Sequence, residues 1–394
     1  AEAKAAKEKG KGKKGKKAKA LPGAKACSGM DLDRMLFILV EEKIVNNVRD
    51  RSVSELEGEF NFLGTAYQNS NTPGQRDPRT NAWIPQDPSI PQIRQNVTEY
   101  AILPLGSKVV RERASAFCTA NEMKYPSSLL LYGAEGSGKT TLVEAVAKST
   151  GALIFNLSVA NTSSTFTEKG GATKLMHMVF TVAKEPAMQP CVIYIDDVDK
   201  ICVSTGKKKV VNDGPARFKK DLPTYIKSLT PQDAVIVIGC AREPWNAETK
   251  SMKACFARHL FLPYPKYGGL VMLWSNTLNS ILAKAGKTLP GEFDISSLAH
   301  ITVGYSAGSV VRAIRATMTE RRLERLDKVP LREGEFIQAL SRMPRTYADN
   351  DQQYRSFTDT ITDLESTRKA VLASINGEEP GKKKKGKGKG KKKK

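Results

Sequence analysis

The sequence predicts an α/β fold, in which a parallel sheet with helices on both faces is followed by a small helical lid domain. Two observations support this prediction. Between residues 128 and 265, short and continuously apolar runs alternate with helical stretches, as in buried parallel strands joined by crossover helices. After Pro265 the strand pattern stops, and residues 268–342 show helical stretches with short breaks.

The individual elements follow from local patterns. Residues 30–49 are predicted to form one amphipathic helix, because apolar side chains recur there at three- and four-residue spacing. Residues 69–91 are rich in Pro, Asn, Asp and Gln, which favours a linker, and residues 93–110 read as a connecting helix and turn. The later strands are predicted at 128–133, 152–158, 191–197, 234–240 and 260–265, with helices at 139–150, about 172–185 and about 215–229.

These elements divide the chain into six predicted segments. They are a disordered Lys-rich tail at 1–29, a helical segment and linker at 30–92, an α/β domain at 93–266, a helical lid at 267–345, an extension at 346–376 and a second disordered tail at 377–394.

The net charge of +22 is concentrated at the two ends of the chain. Residues 1–25 and 377–394 each carry ten Lys and two Glu, and the stretch between them carries only +6. Tails of Lys, Gly and Ala cannot bury enough apolar surface to fold, and they attract polyanions such as acidic protein tails, acidic membranes or nucleic acid. The alternative is a solubilising tail without a specific partner.

Other compositional features exclude several classes of protein. The six cysteines form no C-x-x-C pair and the three histidines do not cluster with them, so the sequence shows no zinc site and fits a reducing compartment such as the cytoplasm. The apolar runs are too short to span a bilayer, and no cleavable signal is visible. The first residue is Ala1, and we expect the chain to be part of a longer protein.

The strongest motif is a P-loop, G-x-x-x-x-G-K-[ST], which lies between a predicted strand and a predicted helix. Its glycines allow backbone N–H groups to surround phosphate oxygens, and the helix N-terminus adds a positive dipole. Lys139 is expected to reach the β- and γ-phosphates of ATP or ADP, and the Thr140 hydroxyl is expected to bind Mg²⁺. The predicted nucleotide-binding residues are Gly133, Ala134, Glu135, Gly136, Ser137, Gly138, Lys139, Thr140 and Thr141.

Two carboxylates follow the strand predicted at 191–197. Asp196 is expected to hold Mg²⁺ through water, and Asp197 occupies the place of a general base that polarises the attacking water. A pair of aspartates at a strand end is often only a turn, but the P-loop upstream favours the functional interpretation of Asp196.

Several segments together resemble the AAA+ ATPase superfamily. VIYIDDVDK (192–200) is similar to its Walker B segment, VIVIGCAREP (235–244) to the following sensor strand, ARHLFLPYP (257–265) to the segment after the arginine fingers, and GYSAG (304–308) to a turn of the helical lid.

Within that superfamily the chain resembles the IQ and AAA domain-containing family, on the evidence of ILPLGS (102–107), DLP (221–223) and TERR (319–322). The resemblance implies a subunit of the nexin–dynein regulatory complex in the axoneme of motile cilia or flagella. Its partners would be other subunits of that complex and tubulin of the microtubule doublet. No IQ motif is visible in this sequence.

Three departures from the active members of the superfamily predict slow or absent ATP hydrolysis. Asp197 replaces Glu and is one methylene shorter, and Arg242 replaces the sensor Asn. The expected arginine-finger position reads KAC (253–255), without Arg. Phe166 is a candidate pore-loop aromatic, but Glu168 stands where Gly is expected, which disfavours a substrate-threading ring.

The alternatives left open by the sequence concern catalysis and partners. An active ATPase that remodels a protein partner is supported by the intact P-loop and lid turn. Nucleic-acid binding rests on the net charge alone, because no motif interleaves aromatic with basic residues. Arg312 and Arg315 on a lid helix either reach phosphate as a second sensor or are ordinary exposed arginines.

Overall fold

The computed structural model describes residues 21–60, 75–76, 83–84, 87–123, 125–204 and 214–363. Eight strands are present in this part of the chain. They are β1 (Val45–Asn46), β2 (Gln75–Arg76), β3 (Trp83–Ile84), β4 (Ser128–Gly133), β5 (Leu153–Asn156), β6 (Cys191–Ile195), β7 (Val235–Ala241) and β8 (Arg258–Leu262).

Sixteen α-helices lie in the described residues. They are α1 (Leu32–Glu41), α2 (Ile90–Val97), α3 (Leu103–Gly106), α4 (Lys108–Ala120), α5 (Lys139–Thr150), α6 (Val159–Thr162), α7 (Gly171–Lys184), α8 (Val198–Ile201), α9 (Leu222–Lys227), α10 (Thr249–Cys255), α11 (Tyr267–Lys284), α12 (Ile295–Ile301), α13 (Ala307–Thr317), α14 (Glu320–Glu324), α15 (Gly334–Ser341) and α16 (Tyr347–Ile361). A π-helical turn, Thr98–Ile102, joins α2 to α3.

Six of the strands form one sheet in the order β1-β5-β6-β7-β4-β8. All neighbours are parallel except β1, which pairs antiparallel with β5 at the edge. Every residue of β4, β6 and β7 is buried, because helices cover both faces of the sheet. The predicted α/β fold is therefore confirmed, and the carboxyl ends of β4, β6 and β7 lie side by side.

The two faces of the sheet carry separate cores. Alternate residues of β4 point to opposite sides, so that Leu129 and Leu131 contact apolar side chains of α2 and α5, whereas Leu130 and Tyr132 join a cluster with α1, α7, α9, α10 and α16. A third core holds α11–α15 together around the fully buried Trp274, whose indole N–H donates to Thr302 Oγ1 at 3.1 Å.

Two predictions for the amino-terminal region are wrong. The helix predicted over residues 30–49 ends at Glu41, because Lys43 turns into the left-handed region at φ 54° and the chain then adds β1 to the sheet edge. Residues 21–29 were predicted as disordered tail, yet Cys27 is buried and the Pro22 carbonyl accepts a hydrogen bond from the Tyr225 hydroxyl. Residues 1–20 and 364–394 lie outside the described residues.

Two further boundaries differ from the prediction because of proline. The helix expected at about 215–229 is a 3₁₀ turn, Pro215–Phe218, followed by α9, which has Pro223 in its first turn. Strand β8 ends at Leu262, before Pro263 and Pro265, since proline cannot donate a ladder hydrogen bond. Within the described residues, the helices are too short or too polar for any of them to cross a membrane.

Candidate functional site

The P-loop connects the carboxyl end of β4 to the first turn of α5. Gly136 and Gly138 adopt left-handed conformations at φ 78° and 97°, which side-chain-bearing residues rarely adopt. A Cβ on Gly138 would lie only 2.9 Å from Leu56 Cδ1, so the segment before the linker covers this side of the loop. No local pattern marks Leu56, because its contact with the loop spans some eighty residues of chain.

Lys139 is folded back into the P-loop. Its amino group donates to the Gly133 and Ala134 carbonyls, both at 2.7 Å, and lies 3.4 Å from Ser137 Oγ. Burial lowers its pKa from the ordinary value. The charge is thus held at the start of α5, beside the backbone N–H groups of the helix N-terminus, and this cradle fits a polyphosphate.

Thr140 and Asp196 are brought together by a tyrosine that the sequence analysis did not identify. The Tyr194 hydroxyl lies 3.4 Å from Thr140 Oγ1 and is also hydrogen-bonded to the Asp196 carboxylate. Burial raises the pKa of Tyr194 far above its ordinary value, so the phenol stays neutral and can donate. A hydroxyl and a carboxylate are hard oxygen ligands that would suit Mg²⁺ at this position.

Asp197 is buried and is engaged by two cations. Lys200 donates to its carboxylate at 2.8 Å, and Arg242 donates through Nε at 3.1 Å and through Nη2 at 3.3 Å. Burial pushes the pKa of Asp197 upward, but the hydrogen bonds and charges of Lys200 and Arg242 outweigh it and hold the pKa below the ordinary value. Asp197 also has a left-handed backbone, at φ 53°.

Arg242 follows β7 and is fixed at several points. Its guanidinium also donates to Glu135 Oε2 of the P-loop at 3.3 Å, and its backbone carbonyl accepts from the Tyr354 hydroxyl of α16 at 2.6 Å. The Asp199 carboxylate accepts a hydrogen bond from the Arg242 backbone. The residue at the predicted sensor position therefore forms an ion pair with the residue at the predicted base position.

The α11–α15 region contacts the P-loop directly. The Gly308 N–H donates to the Gly136 carbonyl at 2.8 Å, and a Cβ on Gly308 would lie 2.8 Å from Gly136 Cα. One turn further along α13, Arg312 lies 3.9 Å from Glu135 Oε1 and donates to Ser309 Oγ at 3.2 Å. Of the two lid arginines considered from sequence, Arg312 thus has a described contact with the P-loop.

Two other predicted positions lie away from this cluster. Phe166, the pore-loop candidate, is half-buried against the core, and its carbonyl accepts from Arg217 at 3.3 Å. Lys253, at the expected finger position, forms an ion pair with Asp363 at 2.7 Å.

Comparisons with known proteins agree with this geometry. Residues 129–264 match the family model described as ATPase family associated with various cellular activities (AAA). Over 320 residues the chain is 32% identical to dynein regulatory complex protein 11 of Mus musculus, which covers 81% of this chain and 35% of that protein. Over 184 residues it is 29% identical to spastin of Xenopus tropicalis, which covers 46% of this chain and 28% of that protein.

The match to a solved structure of katanin has a TM-score of 0.50 at 19% identity and covers 69% of this chain and 87% of that chain. At this identity the match supports the fold alone. The chain spans only about a third of the length of the curated relatives it matches. Because the family match falls on the segment that holds both the P-loop and the strand-end aspartates, this segment is an AAA domain, and the chain is a relative of dynein regulatory complex protein 11.

Proposed function

We propose that this chain is an ATP- or ADP-binding module that serves as a structural subunit of the axonemal nexin–dynein regulatory complex, with weak or no ATP hydrolysis. The observation that carries the proposal is the combination of a complete phosphate cradle with a carboxylate at the general-base position that is already paired with Arg242 and Lys200. The cradle would retain the nucleotide, and the paired carboxylate would not activate water.

The nucleotide-binding half of the proposal rests on the P-loop. Lys139 and the N-terminus of α5 would hold the phosphates, and Thr140 with Asp196 would hold Mg²⁺, which neutralises phosphate charge when it is bound. Gly308 of the lid contacts the loop at Gly136, so a bound nucleotide would stabilise the contact between the sheet and the lid. A ligand that binds only the folded state stabilises it by about 2.7 kcal/mol at a hundred times Kd.

The hydrolytic half of the proposal rests on the surroundings of Asp197. A carboxylate that already accepts from a guanidinium and an ammonium group has lowered basicity, whereas a general base works best with a pKa near the working pH. Arg242 also offers no acceptor that could orient water in the way that an amide does.

The proposed cellular role rests on the similarity to dynein regulatory complex protein 11 across most of this chain. The other subunits of that complex and the microtubule doublet would be the partners, and the ciliary or flagellar axoneme the location. The lysine-rich ends would contact acidic tubulin tails.

An active AAA+ ATPase that remodels a protein partner is the second candidate function. The intact P-loop and the contact of α13 with Gly136 support it, because both parts of a closing site are in place. The ion pair between Arg242 and Asp197 opposes it.

The deciding experiment measures nucleotide affinity and steady-state phosphate release on the same sample. We expect ATP or ADP to raise the melting temperature of the wild type but not of Lys139→Ala. Lys148→Ala is the matched control, since Lys148 lies on the same helix with an ion pair to Asp50 at 3.3 Å. Equal stabilisation of wild type and Lys139→Ala would refute nucleotide binding at the P-loop, and turnover above roughly 1 s⁻¹ would favour the enzyme.

A further inference from the structure

Glu135, at the tip of the P-loop, lies between two arginines that belong to different parts of the fold. Its Oε2 lies 3.3 Å from Arg242, which follows β7, and its Oε1 lies 3.9 Å from Arg312 on α13. All three side chains are partly open to solvent, with exposed fractions of 66%, 43% and 51% for Glu135, Arg242 and Arg312. The two guanidinium groups therefore converge on one carboxylate beside the phosphate cradle.

Two guanidinium groups that converge on one point form a receptor for an oxyanion, because each presents several N–H donors in a planar fork. A phosphate group satisfies such donors as well as a carboxylate does and carries more charge. Glu135 belongs to the P-loop itself, only four residues before Lys139, so it occupies the receptor without any movement of the lid. Any anion that arrives here must displace it.

We propose that Glu135 is a built-in competitor for the terminal phosphate of a bound nucleoside triphosphate, and that it makes the site favour diphosphate over triphosphate. This inference rests on the proposed nucleotide binding at the P-loop. With a diphosphate, Glu135 keeps its contacts with Arg242 and Arg312. With a triphosphate, the two arginines must exchange the carboxylate for the extra phosphate, and the released carboxylate repels that phosphate.

The ion pairs also give the competition a structural consequence. Glu135 joins the P-loop to α13 through Arg312, in parallel with the Gly308–Gly136 hydrogen bond. The lid is therefore held against the P-loop without a terminal phosphate. The triphosphate does not add a contact that closes the lid; it replaces one that already exists.

The test compares the affinities for ADP and for a slowly hydrolysed ATP analogue in wild type and Glu135→Gln. The amide is nearly isosteric but neutral, so it holds the arginines only weakly through its carbonyl oxygen and does not repel the phosphate. We expect the analogue to bind about 3- to 10-fold more tightly relative to ADP in the variant, as suits partly exposed ion pairs. The difference should shrink in 0.5 M salt, because exposed charges are screened.

Glu112→Gln serves as the charge-matched control. Glu112 is an exposed carboxylate on α4 that pairs with Lys108 at 3.9 Å, and its variant should keep the wild-type ratio. An unchanged or lowered ratio of analogue to ADP affinity in Glu135→Gln, with ADP still bound, would overturn the proposal. If neither nucleotide binds the wild type, the proposed function itself fails, and the two failures are thereby distinguished.

Discussion

Replacement of Asp197 by Glu together with Arg242 by Asn should give the chain measurable ATP hydrolysis. In the native structure Asp197 accepts three hydrogen bonds from cationic side chains, two of them from Arg242. The double variant removes those two, restores an amide at the sensor position and moves the carboxylate outward by one methylene, about 1 Å.

The size of the gain follows from the two defects that are repaired. Misplacement of a catalytic group by about 1 Å costs on the order of a hundredfold in rate, and a positioned general base contributes on the order of 10²–10⁴. The finger position is still occupied by Lys253, and a missing arginine finger costs about 10³–10⁵. Lys200 still engages the carboxylate at position 197 in the double variant, so we expect only part of this gain, a rise of roughly 10- to 100-fold over wild type. The missing finger slows both proteins alike and keeps turnover below about 1 s⁻¹.

The assay is steady-state phosphate release at saturating ATP, with nucleotide affinity measured beside it. Asp197→Glu alone should stay near the wild-type rate, since Arg242 can pair with either carboxylate. Lys139→Ala in the double-variant background should abolish the gained activity and so exclude a contaminating ATPase. If the double variant binds ATP but turns over at the wild-type rate, the ion pair between Arg242 and Asp197 is not what limits hydrolysis.

Three other features give measurable expectations. Gly308→Ala should weaken nucleotide affinity severalfold by forcing the lid off Gly136, while Gly291→Ala, whose Cβ would meet no atom of the described residues within 4 Å, should not; equal affinities would refute the lid contact. Burial lowers the pKa of His259 to about 4, and its Nε2 has no partner among the described residues. The unfolded chain takes up that proton below about pH 6.5. The free energy of unfolding should therefore fall by up to about 1.4 kcal/mol per pH unit from pH 6.5 down to 4, and chemical denaturation of His259→Gln should lack this component. Removal of residues 1–20 and 377–394, which hold nineteen lysines, should weaken cosedimentation with microtubules at low salt and flatten its salt dependence; undiminished binding would place the attachment on the folded surface.

The sheet and the P-loop could be predicted from the sequence because the patterns that indicate them are local. Strands β4, β6 and β7 are buried on both faces and so read as unbroken apolar runs. The helix after the P-loop was predicted with the bounds that the structure has, since Gly138 and Gly151 flank it. By contrast, the end of α1 depends on the pairing of Val45 and Asn46 with β5, which no local pattern contains.

For the same reason, only part of the charged cluster of the site could be predicted from the sequence. The substitution of Arg242 at the sensor position was visible as a departure from a motif, but its partner was not. Glu135, Arg242 and Arg312 come from three segments that are separated by some seventy residues or more, and only the fold makes them neighbours. Tyr194 lies inside an apolar strand and reads as core, although its hydroxyl emerges between Thr140 and Asp196.

The way in which Arg242 is held favours a static role over a moving one. A sensor that couples hydrolysis to motion must change partners during the cycle, yet both the side chain and the backbone of Arg242 are engaged. Helix α16 braces the backbone through Tyr354 and also binds the hydroxyl of Tyr132, just before the P-loop, through Thr358 at 2.8 Å. One helix thus ties the end of the sensor strand to the strand that carries the phosphate cradle. Such a brace resists relative movement of β4 and β7, which suits a nucleotide held as part of the structure better than a nucleotide consumed in cycles.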